Sequence, residues 1–292
     1  MRSEPILSVD LGGTKLLAAL VSDGVIEERA EIATRRDAGP EAWLGQIRDM
    51  TLPWHGRFRQ AGIAVTGLVK DGLWQSLNPT TLQLPAGFEL QNKAQSVLEV
   101  PVSLCNDAQA ATWGEYEFGA GQGRDMVFLT VSTGIGGGVV LAGKLLVGRG
   151  GLAGSFGQIL PLPEGPERRF EDGASGQWIA AESGRLGHPA DARTVFDAGA
   201  DWATALIATS AARVARLCQN IQFMFDPEII VIGGGIGLAP GYLAQVERSL
   251  AHLPPLLRPT LAQARLRKDA GVIGMAALSA RALPQGKIEN VI

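Results

Sequence analysis

Two stretches of the chain run from an apolar segment through a glycine-bearing turn into a second apolar segment, and no other feature restricts the fold as strongly. In the first, ILSVDLGGTKLLAALVSDG, residues 6–9 and 16–21 flank Asp10, Gly12, Gly13 and Thr14. In the second, MVFLTVSTGIGGGVVLAGKLLVG, residues 126–131 lead into a turn of Ser132, Thr133, Gly134, Gly136, Gly137 and Gly138, and a new strand starts at Val139. Short apolar runs joined by glycine turns form β-hairpins. The same pattern, repeated about 120 residues further on, predicts a duplicated domain.

The rest of the chain alternates strands with helices. A strand ends at Thr66 and Gly67, and another covers 102–105 before a helix that starts at Asn106 and Asp107. Leu206, Ile207, Val214, Leu217, Cys218, Ile221 and Phe225 recur at helical spacing up to a stop at Asp226-Pro227. The segment EIIVIGGGIGLAPGYLAQVERSL then reads as a buried strand, a glycine loop and an amphipathic helix. This order predicts an α/β architecture. Residues 160–192, rich in Pro, Gly and charge, read as a surface excursion or an active-site insertion.

Composition narrows the function. With 292 residues, 46% hydrophobic and 19% charged, the chain supports one large or two smaller cores, and its net charge of −3 lacks the clustered Lys and Arg of a nucleic-acid binder. The pairs Arg35-Arg36 and Arg168-Arg169 read as solvated surface. No apolar run approaches the roughly 18 to 20 residues of a membrane span, and the start MRSEPILSVDLGG is too short and too acidic for a signal peptide, so the expected location is the cytoplasm. Cys105 and Cys218 stand far apart, as do His55, His188 and His252, which supports neither a disulfide framework nor a histidine metal cluster.

The glycine turns also carry chemistry. A glycine turn after a strand has a plain use in reversing the chain. The first turn nevertheless collects backbone N–H groups, the Thr14 hydroxyl, the Lys15 ammonium and the Asp10 carboxylate. Amides and a cation suit phosphate, and a carboxylate suits magnesium or its waters. The second turn lets backbone approach an anion closely. Two such cradles imply a nucleoside triphosphate, although no GxxxxGK[ST] sequence is present. The third turn, residues 233–237, fails the dinucleotide spacing because Pro240 stands where its third glycine belongs, and a contact to nucleoside or simple strand–helix packing accounts for it. In CNDAQAATWGE, Asn106 or Asp107 caps the following helix, or Asp107 serves as a general base at a strand's C-terminal end.

The segments VDLGGTK, VTGLV, NDAQAATWGE, TVSTGIGGGV and GGLAGSFGQ, in this order, resemble the ROK family of sugar kinases and repressors, over residues 6 to 278. The resemblance implies two ribonuclease-H-like domains of the actin-like superfamily, residues 1–108 completed by a helix at about 277–292, and 109–276, with ATP and sugar in the cleft between them. It places phosphate contacts on Gly12, Gly13, Thr14 and Lys15, and on Thr133, Gly134 and Gly136, and adenosine near Gly234 and Gly235. Asp107 corresponds to the general base, and Gly67, Asn78 and Asn106 lie beside the sugar. It further implies Mg²⁺ with the ATP, through Asp10, and a homodimer. A repressor needs an N-terminal helix-turn-helix, and with about nine residues before the first turn that branch is not expected.

The chain also departs from the family. A usual GExGH motif, whose Glu and His meet sugar hydroxyls and whose His binds zinc with a downstream CxCGxxGC loop, reads here with Ser155 and Gln158. The downstream loop PERRFEDGASGQWIAAESG has no cysteine, and a further sugar-binding Glu falls on Ile179, with Glu182 as a substitute. Zinc prefers thiolate and imidazole, so none is expected. The resulting expectation is ATP-dependent phosphorylation at the 6-hydroxyl of an N-acetylhexosamine, N-acetylmannosamine first. The alternatives are another hexose such as glucose or fructose, or a non-catalytic binder of sugar and ATP.

Overall fold

The computed structural model describes residues 3–77, 82, 84–85, 87–160 and 169–282. In chain order the first elements are β1 (Ile6–Leu11), β2 (Lys15–Ser22), β3 (Val25–Ala33), α1 (Pro40–Thr51), β4 (Ala61–Val65), β5 (Leu68–Lys70), β6 (Leu73–Gln75), α2 (Leu90–Leu98), β7 (Val102–Asn106) and α3 (Asp107–Glu117). There follow β8 (Met126–Val131), β9 (Ile135–Leu141), β10 (Lys144–Leu145), α4 (Gly176–Arg185), α5 (Ala192–Asp197), α6 (Asp201–Phe225), β11 (Ile229–Gly233), α7 (Gly234–Gly237), α8 (Tyr242–Leu250), β12 (Leu261–Gln263) and α9 (Ala270–Arg281).

The chain divides into a first unit of Met1–Phe118, Leu145–Ala153 and Lys268–Ile292, and a second of Gly119–Lys144 and Gly154–Arg267. The sequence-based boundary at 108/109 falls at the start of α3, whereas in this division the whole of α3 stays with the first unit. The helix expected at about 277–292 overlaps α9 only over 277–281, and residues 283–292 lie outside the described ones.

In the first unit the sheet order is β3-β2-β1-β4-β7. β1 pairs antiparallel with β2 and parallel with β4, and β4 pairs parallel with β7. Successive strand side chains point to opposite faces, and β2 is apolar on both. Leu16, Ala18 and Leu20 join a core with Trp43, Leu44 and Ile47 of α1, while Leu17, Ala19 and Val21 join Val272 and Ala276 of α9. Trp43 is fully buried because its indole N–H has a partner, the Arg35 carbonyl at 2.7 Å.

α9 lies close to α3 and to the sheet because small residues mark its path. A Cβ at Gly274 would fall 2.6 Å from the Gly114 amide nitrogen and would collide with the Ala110 carbonyl. On the sheet side, Ser8 donates to the Val272 carbonyl at 2.6 Å.

The second unit repeats the order as β10-β9-β8-β11-β12, again with an antiparallel hairpin, β8 and β9, beside the parallel pair β8 and β11. This bears out the duplication read from the two hairpins. One detail differs from the sequence reading: the turn is short, and Gly136, Gly137 and Gly138 belong to β9, opposite Thr130, Leu129 and Phe128. Gly137 is there for close packing, since a Cβ would sit 2.8 Å from the Phe156 ring. The helical stripe appears as α6, with Val214, Leu217, Cys218 and Ile221 buried, and it ends at Asp226 in a left-handed conformation (φ 43°). Ser210 of α6 ties the layer together by donating to the Ala174 carbonyl at 2.7 Å and bonding the Tyr242 hydroxyl at 2.8 Å.

Candidate active site

In the first unit the parallel strands β1, β4 and β7 run in register, with Leu11 beside Val65 and Val65 beside Asn106. Their C-terminal ends therefore carry, side by side, the Asp10 turn, Gly67 and the Asn106-Asp107 pair. The edge at strand C-termini is where open α/β sheets bind ligands.

The turn after β1 is tight, with the Gly12 amide donating to the Lys15 carbonyl at 3.1 Å. Thr34 fastens it from β3's end by donating its hydroxyl to the Gly12 carbonyl at 2.8 Å. Lys15 reaches away into an ion pair with Glu31 at 2.6 Å. Gly67 has φ 101°, and a side chain there would run into the Gln75 backbone. Asn78 lies outside the described residues.

Asn106 is the helix cap: its side-chain oxygen accepts from the Ala108 and Gln109 amides at 3.0 and 3.1 Å, and its side-chain N–H donates to the Gly67 carbonyl at 2.9 Å. Asp107 is thereby relieved of capping and opens α3, accepting from the Ala108 amide at 2.8 Å. Burial raises its carboxyl to about 6, against the opposing effect of that amide hydrogen bond. Asp10 is raised to about 7, first by burial and then by the negative charge of Asp107. A hard divalent cation would relieve that clustered charge, so the carboxylates fit Mg²⁺ chemistry.

One neighbour escaped the sequence reading. Gln109, buried in α3, donates its side-chain amide to the Ala153 carbonyl at 3.0 Å and holds the glycine stretch that begins at Gly150. Gly151 in that stretch has φ 76°, with the Val69 carbonyl 2.8 Å from where its Cβ would be. No spacing rule links residue 109 to residue 153, so only the fold reveals the contact.

In the second unit, the ends of β8 and β11 open a cavity of about 630 Å³. Ser132 and Thr133 line one part of it, Gly235, Ile236 and Ala239 another, and Gln177, Arg193 and Phe196 a third. Gly234, at φ 83°, makes the turn out of β11, and a Cβ there would lie 2.7 Å from the Thr130 hydroxyl. Sequence reading named Thr133 and Gly235 but missed Gln177 and Arg193. Gln177 falls in the irregular segment 160–192, read as a surface excursion or an active-site insertion, and Arg193 lies just beyond it; the structure forms α4 from residue 176 and α5 from residue 192 there.

Of the residues substituted at the family's sugar and zinc positions, Gln158 donates its amide to Glu171 at 2.8 Å, and Glu182 pairs with Arg185 at 2.6 Å. Ile179 is fully buried in α4. Ser155 precedes a short 3-10 turn, Phe156–Gln158. Where the family resemblance leads one to look for a zinc-binding histidine, the chain has Gln158, whose carboxamide is engaged with Glu171 and is a poor zinc ligand beside thiolate and imidazole. Among the described residues no helix is long and apolar enough to cross a membrane.

Known proteins agree with this architecture. The chain is 46% identical over 281 residues to the bifunctional enzyme NanE/NanK of Brucella melitensis biotype 1, covering 95% of this chain and 54% of that protein. The chain thus spans about half the length of that relative. It is 43% identical over 284 residues to the N-acetylmannosamine kinase of Shigella flexneri, covering 94% of this chain and 98% of that one. The crystal structure of a ROK family glucokinase from Streptomyces griseus, in complex with glucose and AMPPNP, superposes with a TM-score of 0.81 at 26% identity, over 95% of this chain and 100% of that one. The α/β class with two ribonuclease-H-like, actin-like units holds. The ROK family model matches residues 6–282, and the chain belongs to the ROK family.

Proposed function

We propose that the chain is an ATP-dependent sugar kinase that phosphorylates the 6-hydroxyl of N-acetylmannosamine. One observation carries the reading: Asp107 stands at the C-terminal end of β7, freed from capping by Asn106, with a carboxyl at about 6 that is ionised yet basic at neutral pH. The near full-length identity to the Shigella flexneri kinase supports the choice of sugar.

In this reaction Asp107 accepts the proton of the sugar 6-hydroxyl as its oxygen forms a bond to the γ-phosphorus and the bond to the β-phosphate bridge breaks, releasing ADP. Asn106 and Gly67 fix the Asp107 end of the helix, and the backbone amides of residues 13–14 and 133–134 suit phosphate oxygens, while the Gly12 amide closes the turn on Lys15. The second unit's cavity, with Phe196 and Arg193, suits a nucleoside. Mg²⁺, when bound, spreads the triphosphate charge, and Asp10 supplies an oxygen ligand or orients its waters.

A different hexose is the second reading, favoured by the engagement of Gln158 with Glu171 and by the apolar Ile179. ADP release is measured over mannosamine, glucosamine and their N-acetyl forms, and over glucose and fructose. The highest kcat/KM on N-acetylmannosamine supports the first reading, and on another sugar the second. No sugar-dependent ADP release overturns both.

A further inference from the structure

The reaction above makes no use of Glu171, yet among the described residues it is the sole buried charged side chain of the second unit. It stands in the 3-10 turn Phe170–Gly173. One carboxylate oxygen accepts from the Ile135 amide at 3.2 Å. The same oxygen occupies the space that a Cβ would need at Gly134, 2.7 Å away, and at Gly157, 3.1 Å away. The other oxygen accepts from the Gln158 side-chain amide at 2.8 Å and faces an Arg169 guanidinium nitrogen at 3.1 Å.

A buried carboxylate is costly unless it is paired and hydrogen-bonded, and this one has three donors around it. The chain just beyond continues the grip, since the Gly176 and Gln177 amides donate to the Ser132 and Thr133 carbonyls at 2.7 and 3.1 Å. Both sides of the 132–135 turn are thus held by the 170–177 segment, where the family resemblance leads one to look for a metal loop.

We propose that Glu171, braced by Gln158 and Arg169, is a positioning residue that fixes the 132–135 turn for the phosphoryl donor, with charge-assisted hydrogen bonds replacing a metal. The proposal rests on the kinase reading for its donor. Glycine at 134 is then required because the carboxylate must approach the turn backbone directly, whereas a Cβ at 157 would first run into the Ile135 carbonyl, and Gln158 serves the turn instead of the sugar.

The test combines a titration with a fluorescent ATP analogue and steady-state kinetics on Glu171→Ala and Glu171→Gln. Glu171→Ala raises the nucleotide Kd and the KM for ATP about tenfold, the scale of one lost charged hydrogen bond, while the KM for sugar stays within twofold. Glu171→Gln, which keeps an acceptor for the Ile135 amide, recovers part of the loss. Should Glu171→Ala fail to fold, Arg169→Ala is read the same way and raises the KM for ATP by a smaller factor. Unchanged nucleotide Kd and KM for ATP in the folded variant overturn the proposal. An unmodified protein that binds nucleotide but phosphorylates no sugar counts against the kinase reading alone, because the titration still decides the role of Glu171.

Discussion

Asp10 and Asp107 share the C-terminal edge of one sheet, and burial, reinforced by the charge of Asp107, raises the Asp10 carboxyl to about 7. Two acidic groups, at the ends of the strands β1 and β7 that flank β4, thus have carboxyls at about 7 and about 6, in the range where a proton acceptor is useful.

The first consequence concerns rate against pH. Asp107 must be ionised to accept a proton, so kcat/KM for the sugar rises with pH through about 6 and levels off above it. A profile that is flat down to pH 5 contradicts the assignment of Asp107 as base.

The second concerns stability in metal-free buffer. The folded carboxyl of Asp10 is raised from 3.8 to about 7, so its contribution is present below 3.8 and is lost as pH rises through 7. Asp10→Asn removes this penalty: its thermal midpoint exceeds that of the unmodified protein by a few degrees at pH 8 and is equal to it near pH 4. Equal midpoints at pH 8 contradict the buried, charge-opposed setting.

The third separates two glycines in helices. Gly274→Ala forces a methyl into the Ala110 carbonyl where α9 crosses α3, and overpacking of this kind costs about 1–3 kcal/mol. Gly184→Ala in α4 meets nothing within 4 Å and gains about 0.4–1 kcal/mol through the unfolded chain. Denaturant midpoints moving in opposite directions verify the close crossing, and a neutral Gly274→Ala refutes it.

The fourth concerns zinc. With Gln158 engaged by Glu171, metal analysis of purified protein finds far less than one zinc per chain, and a chelator leaves the thermal midpoint unchanged. One stoichiometric zinc per chain contradicts this.

Hairpins and the alternation of strands with helices were legible because apolar runs and turns are local signals, and so was the junction at Asn106-Asp107, where a strand ends and a helix begins. The glycines at 136–138 looked like turn but lie in β9, because glycine serves close packing as readily as chain reversal, and only Phe156 and the β8 backbone show which applies. Arg193 and Gln177 of the cavity, and Glu171 beneath the turn, were illegible for another reason: the cavity lining is drawn from segments between residues 132 and 240, and Glu171 meets the Ile135 amide in a distant turn. Sequence also left open which of Asn106 and Asp107 caps the helix, and the hydrogen bonds from Ala108 and Gln109 give the cap to Asn106.

The most direct measurement is turnover by Asp107→Asn with Mg·ATP and N-acetylmannosamine, beside a nucleotide titration to show that the variant still binds ATP. The account predicts unchanged nucleotide affinity and a kcat lower by about 10²- to 10⁴-fold. A variant that phosphorylates the sugar at near the unmodified rate contradicts it.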